Sequence, residues 1–562
     1  MAPVIVAPQV AQGTQAPYVD GAKVLVDGKV VPWEGACSDV VSPLFAADGS
    51  RVVIGRQAVF TPEASMAAVE AAARSWARGR GEWAQKSMEQ RIATVELAVQ
   101  KLRERRSQIV EILQWEICKN DGDAAKEFDR TMECIAASIA QLRAAEFTDV
   151  VCEGGVYAIL RRSPVGVMMN LGPMNYPFNE TYATLIPALL CGNSLVMKIP
   201  SVGGLAHVLT MEVYAECFPK GVVNFVAGRG RDTMPPIMRT GKVDLLAFIG
   251  SSKAADSLIR EHPQPHRLRS LLSLDAKNLG VVLPDADLDV AVKECLAGST
   301  AFNGQRCTAI KLIMLHESVA DEFCQRFSEA IATLPAGPPF GKNAITPLPE
   351  ATPRYLAELV EDAKAKGASV INERGGETDR TLVFPSVLYP VTKEMRAFHE
   401  EQFGPLVAIG RYSDIEDVLQ HLADAHFGQQ VALFTSSAAQ GGQQLSHILD
   451  ACALATCRVN INTQCQRGPD SFPFAGRKSS ALGTISVSEV LRAVSVETLV
   501  ASKSHAETQG IARGSSVFAP IVGRKDTARA GPVLLSQARA GPKASEKAGA
   551  SKSLIGDSLA AV

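Results

Sequence analysis

An α/β protein built on parallel sheets is the fold class this sequence predicts, and three observations predict it. Between Pro164 and Gly250 short apolar runs alternate with helical stretches, and a second region of the same kind extends from about Leu274 to Gln466. The chain has 562 residues, 46% of them hydrophobic, which is too long for one ordinary core and points to two or three domains. Strands that alternate with helices form parallel βαβ units, whose ligands bind at the carboxyl ends of the strands.

Charge narrows the function classes. The net charge is −2, from 57 basic and 59 acidic residues, so no global field favours nucleic acid or an anionic membrane. No apolar run approaches the roughly 18 residues of a spanning helix, and Met1 to Pro17 lacks the basic and apolar regions of a secretory signal. A cytoplasmic protein without nucleic-acid or membrane partners is expected. The twelve cysteines show no C-x-x-C pair or other metal-like spacing, so reduced thiols and no metal are expected.

Taken in order, Lys23 to Val31 reads as a hairpin around Asp27-Gly28. Thr61-Pro62-Glu63 opens a helix with a capping residue, Pro in the first turn and an early acid, and helical patterning continues in pieces to about Phe147. Asp149 to Arg162 returns to strand around a Gly-Gly turn. The first α/β region then gives strands at Val165–Leu171, Ser194–Ile199, Val222–Ala227 and Val243–Ile249, with helices at Tyr176–Leu190 and Gly203–Cys217. In the second, strands fall near Gly280–Leu283, Ala309–Leu315, Leu406–Gly410 and Gln430–Phe434. Helices are expected at Asp287–Ala301 and at Val319–Leu334, the latter behind a capping-box-like Ser318-Val319-Ala320-Asp321. From 503 to 562 the composition shifts to Ala, Gly, Ser, Lys and Arg, which reads as a disordered tail.

Cys307 is the candidate nucleophile. It lies in Phe302-Asn303-Gly304-Gln305-Arg306-Cys307-Thr308, a loop between a helix and a β-branched strand, where active-site groups concentrate. Arg306 beside it would favour the thiolate, the form that attacks electrophiles. A G-x-G-x-x-G fingerprint is absent after the first α/β strand. Gly228-Arg229-Gly230 and Phe248-Ile249-Gly250-Ser251-Ser252 suit the approach of backbone to a pyrophosphate at a helix start, though tight turns explain them equally. Lys198, at a strand end before Pro200 and Ser201, suits a nucleotide ribose or phosphate, and a solvated lysine is the competing reading.

Read together, the motifs resemble the aldehyde dehydrogenase superfamily over roughly residues 20 to 500. The anchors are Gly172-Pro173-Met174-Asn175-Tyr176-Pro177, Met197-Lys198-Ile199-Pro200-Ser201, Phe248-Ile249-Gly250-Ser251, Gly304-Gln305-Arg306-Cys307, Glu400-Glu401-Gln402-Phe403-Gly404-Pro405 and Phe472-Pro473-Phe474-Ala475-Gly476. The resemblance implies that Cys307 adds to an aldehyde and that the Asn175 amide, with the Cys307 backbone N–H, steadies the oxyanion. It also implies that Lys198, Gly230, Gly250, Ser251, Glu401 and Phe403 line a nicotinamide dinucleotide site, with Lys198 at the adenosine ribose and Glu401 at the nicotinamide ribose. Members that prefer NAD often carry an acid three residues after the Lys, and this chain has Ser201. A carboxylate about 4 Å from a 2'-phosphate would repel it by several kcal/mol at an effective dielectric of ~20. NADP is therefore the expected cofactor, with NAD as the alternative.

A subgroup that oxidises glyceraldehyde 3-phosphate without phosphorylating it shares Gln305-Arg306-Cys307-Thr308-Ala309, Asn175-Tyr176-Pro177, Gly228-Arg229-Gly230 and Gln466-Arg467-Gly468. The resemblance places the substrate phosphate on Arg130, Tyr176, Arg306 and Arg467. One departure is serious. The family motif Glu-Leu-Gly-Gly-Lys, whose Glu activates the hydrolytic water, aligns with Ser273-Leu274-Asp275-Ala276-Lys277. A neutral hydroxyl is a poor base at pH 7. Three readings stay open: Asp275 or another carboxylate acts through water, deacylation is slow, or another nucleophile such as coenzyme A takes the acyl group. The expected reaction is NADP-dependent oxidation of glyceraldehyde 3-phosphate to 3-phosphoglycerate. The alternatives are a CoA-acylating semialdehyde dehydrogenase and a catalytically dormant relative. The expected architecture is a Rossmann-type cofactor domain (20–145 and 163–272), a catalytic domain (273–470) and a small β flap (146–162 and 485–502) that joins subunits into a dimer or tetramer.

Overall fold

The computed structural model describes residues 7–144, 148–436 and 442–503. The hairpin forms as read, Lys23–Val26 pairing antiparallel with Lys29–Pro32. Helix Pro62–Trp76 starts where Thr61 Oγ1 accepts from the Ala64 N–H, with Pro62 in its first turn. Helix Met88–Glu104 carries a full capping box, in which the Ser87 hydroxyl and the Gln90 side chain each satisfy the other's backbone N–H. Helix α1 (Asp121–Arg143) lies against α2 (Asn179–Leu190) and brings Lys126, Glu127 and Arg130 to the site described below.

Two parallel sheets carry the site. The first has strands β1 (Val167–Leu171), β2 (Ser194–Lys198), β3 (Val223–Val226), β4 (Leu245–Ile249) and β5 (Arg269–Ser273), in the order β3-β2-β1-β4-β5 with Ala481–Leu482 antiparallel at one edge. Its first four strands are almost wholly buried, as expected where helices cover both faces. Strand order reverses between β1 and β4, the kind of position at which open α/β sheets bind ligands. Asn175 and Gly250 lie in the loops after β1 and β4, Lys198 ends β2, and Gly230 opens the helix after β3.

The second sheet contains β6 (Asn278–Val282), β7 (Ile310–His316), β8 (Ser386–Tyr389), β9 (Leu406–Tyr412), β10 (Gln430–Phe434) and β11 (Arg458–Ile461), in the order β8-β9-β7-β6-β10-β11 with Ser369–Val370 antiparallel beyond β8. Thr148–Glu153, Val156–Pro164 and Ser495–Ser502 form a separate antiparallel sheet, with Val156–Pro164 in the middle.

Two local expectations are corrected. Ser318 does not cap the helix after β7. That helix runs Ala320–Ala332 with Val319 at its N-cap, because the Ser318 hydroxyl is held by His316 Nδ1 at 2.8 Å. The single helix expected over Gly203–Cys217 is two, Leu205–Val208 and Met211–Cys217. The Thr210 hydroxyl donates back to the His207 carbonyl at 2.7 Å, a side-chain bond that competes with helix continuation. The 503–562 stretch lies outside the described residues from 504 onward.

Removing the Ser87 cap tests the account of these helices. Ser87→Ala is expected to cost about 1 kcal/mol, seen as a lower urea midpoint at unchanged slope, whereas Ser87→Asp retains the midpoint.

Candidate functional site

Helix α4 (Leu288–Thr300) ends against a sharply reversed turn. Phe302 and Asn303 take left-handed φ values of 48° and 56°, and Gly304 follows at 69°. A Cβ on Gly304 would lie 2.7 Å from the Ser299 carbonyl oxygen and 2.8 Å from that of Gly404, so glycine is required there. Asn303 is pinned by both arms, donating to Thr346 Oγ1 at 3.0 Å and accepting from the Thr346 N–H at 2.9 Å. Beyond the turn, Asn278 Nδ2 donates to the Cys307 carbonyl at 2.8 Å, and Asn175 Nδ2 donates to the Gln305 carbonyl at 2.8 Å. These contacts fix Cys307 on the wall of a cavity of about 820 Å³. Asn175 uses one of its two amide protons on Gln305 and borders the same cavity.

Arg306 favours the Cys307 thiolate, as its position in the sequence suggests, but is not the strongest cation acting on it. Its guanidinium donates to the Gly298 and Ala297 carbonyls at 2.7 and 3.2 Å, at the end of α4. Burial pushes the Cys307 thiol up, and the cation that pulls hardest the other way is Lys311, with Arg306 a smaller influence. Lys311, on β7, is buried and donates to the Arg306 carbonyl at 2.9 Å and the Ala276 carbonyl at 3.3 Å, and it pairs with Glu401. Glu401 also accepts from the Ala276 N–H at 3.2 Å, and burial raises its carboxyl above the usual range.

Arg130, Tyr176, Arg306 and Arg467 come from four separate segments and line the same cavity as Cys307. Two of these arginines already have carboxylate partners. Arg130 forks onto Asp470 at 3.0 and 2.6 Å, while Arg467 pairs with Glu180 and lies 3.6 Å from Asp470. Burial takes Arg467 down to about 10. Arg306 Nε is buried without a hydrogen-bond partner among the described residues. Tyr176, pushed up to about 12 by burial, lies under the Lys119 ammonium, which is 3.4 Å from its ring centre and 4.7 Å from that of Phe302. Lys119 is wholly buried against Glu127, whose second oxygen accepts from the Phe178 and Asn179 N–H groups at 2.9 and 3.2 Å. Sequence reasoning missed Lys119, Glu127, Glu180, Lys311 and Asp470; of these only Asp470 had a local cue, its i,i+3 spacing from Arg467.

Of the residues read as a dinucleotide site, Lys198, Ser201, Gly230, Gly250 and Ser251 lie at or beyond the carboxyl ends of the first sheet, whereas Glu401 and Phe403 precede β9 of the second. Lys198 ends β2 at 6% exposure, and its hydrogen bond among the described residues goes to Ser201 Oγ at 3.3 Å. Burial lowers it to about 8. A buried ammonium with one hydroxyl partner fits an incoming phosphate or ribose. Gly230 opens helix Gly230–Arg239, and Gly250 and Ser251 lead into α3 (Ser252–Glu261), where the Ser251 hydroxyl accepts from the Ala254 N–H at 3.4 Å. Gly250, Glu401 and Phe403 border the Cys307 cavity. Ser273 ends β5, buried and facing that cavity, while Asp275 turns toward α3 and accepts from the Ser252 N–H and hydroxyl, both at 2.7 Å.

A sequence model described as the aldehyde dehydrogenase family matches residues 44–500. The NADP-dependent glyceraldehyde-3-phosphate dehydrogenase of Pisum sativum is 31% identical over 72% of this chain and 81% of its own length. That of Streptococcus equinus is 32% identical over 68% and 80%. The crystal structure of the NADP-dependent glyceraldehyde-3-phosphate dehydrogenase from Bacillus halodurans C-125, complexed with NADP, matches with a TM-score of 0.78 at 27% identity, covering 86% of this chain and 99% of its own.

The Lys311 arrangement predicts that Lys311→Met slows alkylation of Cys307 by iodoacetamide near neutral pH and moves its apparent pKa up. Lys311→Arg should fall between. An unchanged alkylation profile in Lys311→Met would rule out an electrostatic role for this lysine.

Proposed function

The chain belongs to the aldehyde dehydrogenase family, and we propose that it oxidises glyceraldehyde 3-phosphate to 3-phosphoglycerate with NADP, through a thioester on Cys307. The observation that carries this reading is the single cavity shared by Cys307, Arg130, Tyr176, Arg306 and Arg467. The names of the relatives support it as well.

In this reading the Cys307 sulfur, as thiolate, forms a bond to the aldehyde carbon and the carbonyl electron pair moves onto oxygen. Collapse of that oxyanion expels hydride to leave a thioester, and water then cleaves the thioester to 3-phosphoglycerate and the free thiol. The free Asn175 amide proton and the Cys307 backbone N–H meet that oxyanion. Bound NADP supplies the hydride acceptor. Lys198 and Ser201 would hold its 2'-phosphate, since the lysine lacks a carboxylate three residues on and the Ser201 hydroxyl can donate; Glu401 would hold the nicotinamide ribose. At the other end of the cavity the substrate phosphate takes the place that Asp470 and Glu180 now share on Arg130 and Arg467, and it meets the unpartnered Arg306 Nε. Guanidinium forks suit a dianion better than a neutral aldehyde tail.

A second reading is favoured by one feature. Ser273 puts a neutral, buried hydroxyl where the family's water-activating Glu stands, which suits acyl transfer to coenzyme A. Added coenzyme A would then raise the steady-state rate of reduced-cofactor formation. We also assign residues 20–145 and 163–272 to cofactor binding and 273–470 to catalysis. The sheet of 148–164 and 495–502 is the subunit contact of a dimer or tetramer in this reading, with Leu499 58% exposed on it.

Two measurements test the proposal. Arg306→Ala should raise KM for the phosphorylated aldehyde about 10- to 100-fold, the worth of a charged hydrogen bond, and leave unphosphorylated glyceraldehyde little changed. Equal losses on both substrates would count against a phosphate site. For cofactor, the sign follows from Lys198: its pKa is lowered, so the ammonium is lost as pH rises through about 8. NADP affinity should therefore fall above about pH 8 while NAD affinity stays flatter, as read by calorimetric titration at pH 7 and pH 9.

A further inference from the structure

We propose that Glu180 determines specificity: by keeping a carboxylate on Arg467 it admits an aldehyde with a dianionic phosphate tail to the arginine end of the cavity and disfavours one with a monoanionic carboxylate tail. This inference rests on the phosphate reading above and deepens it.

Glu180 stands in the first turn of α2 and lines the cavity that holds Cys307. The start of that helix does not need its carboxylate, because Glu127 already accepts from the Phe178 and Asn179 N–H groups at 2.9 and 3.2 Å. Among the described residues the ion-pair partner of Glu180 is Arg467, and the two side chains keep 13% and 9% of their surface exposed. Beside them Arg130 forks onto Asp470, which also lies 3.6 Å from Arg467. Two guanidinium groups thus meet two carboxylates, and their charges cancel. Arg306 lines the same cavity with its Nε buried and without a hydrogen-bond partner.

An anion that enters here must exchange with a carboxylate already in place. A carboxylate tail exchanges like for like: it brings no added charge to the forks, and it leaves the nearly buried Glu180 without its cation, an unfavourable state. A phosphate dianion brings one charge more, and its oxygens can take the forks of Arg130 and Arg467 while meeting Arg306 Nε. Without Glu180 the arginines would accept either tail, since guanidinium forks match carboxylate and phosphate alike. The arginines therefore account for anion binding, and Glu180 for which anion binds.

The test compares tail charge in steady-state kinetics of the full chain, with glyceraldehyde, succinic semialdehyde and glyceraldehyde 3-phosphate as the neutral, monoanionic and dianionic aldehydes. Glu180→Gln keeps the shape and removes the charge. In that variant the ratio of kcat/KM for succinic semialdehyde to kcat/KM for glyceraldehyde should rise about tenfold or more. Glu180→Asp keeps the charge and should retain the wild-type ratio. An unchanged or lower ratio in Glu180→Gln, or an equal rise in Glu180→Asp, would overturn the proposal. The unaltered chain supplies a second measurement that no folding defect can obscure: inorganic phosphate should raise its Tm, and acetate at the same concentration should not. Equal protection by the two anions would likewise overturn the proposal. A wild-type chain that uses glyceraldehyde 3-phosphate no better than glyceraldehyde would instead overturn the phosphate reading itself.

Discussion

A buried ammonium needs anionic or carbonyl partners on every side, and Lys311 obtains them by drawing three loops to one point. Its Nζ meets the carbonyl before Cys307, the carbonyl of Ala276 and the carboxylate of Glu401. Leaving such a charge unpaired would cost about 3–5 kcal/mol, so the three loops keep their spacing only while the lysine stays charged and in place. That spacing decides where Cys307 sits relative to Ser273 and to the groups assigned to the cofactor. The strained turn at Phe302, Asn303 and Gly304 does the complementary work, reversing the chain tightly enough to bring the thiol to the cavity.

The far end of the cavity is built on charge balance. Arg130 and Arg467 share Asp470, and Glu180 takes the rest of Arg467. Buried cations paired in this way are preorganised without being left bare, and a ligand with more negative charge than a carboxylate can exchange into the same forks. Lys119 and Glu127 tie the Asn175 loop to the same region: the ammonium sits over Tyr176 and Phe302, and the carboxylate caps the start of α2. The arginine end of the cavity and the position of Cys307 thus share supports, and a change at one is felt at the other.

How much of this could be read in the sequence follows from the range of each interaction. The β10 strand, Gln430–Phe434, is found where its short apolar run places it, because burial on both faces writes itself locally. The motifs of Asn175 and Lys198 could be placed because they lie at or after the end of a strand, and that of Cys307 because it lies on the loop before β7. Lys311 was not legible, since a lysine in the apolar run Ala309 to Leu315 gives no sign of partners 35 and 90 residues away. Nor was Asp470, whose partner Arg130 is 340 residues distant in the chain. The Ser318 cap failed for a local reason: a hydroxyl two residues from His316 found the imidazole first. Arg306 shows the general difficulty, because neighbouring residues in sequence say nothing about where a long side chain points.

Oxidation through an acyl group on Cys307, as proposed, leaves that group where it can be caught. The protein is mixed with glyceraldehyde 3-phosphate and NADP, quenched in acid within the first turnover, digested, and its peptides identified by mass spectrometry. The account predicts a phosphoglyceroyl thioester on the peptide containing Cys307, in step with the first equivalent of reduced cofactor. Reduced cofactor formed while Cys307 stays unmodified, or an adduct on another residue, would contradict it.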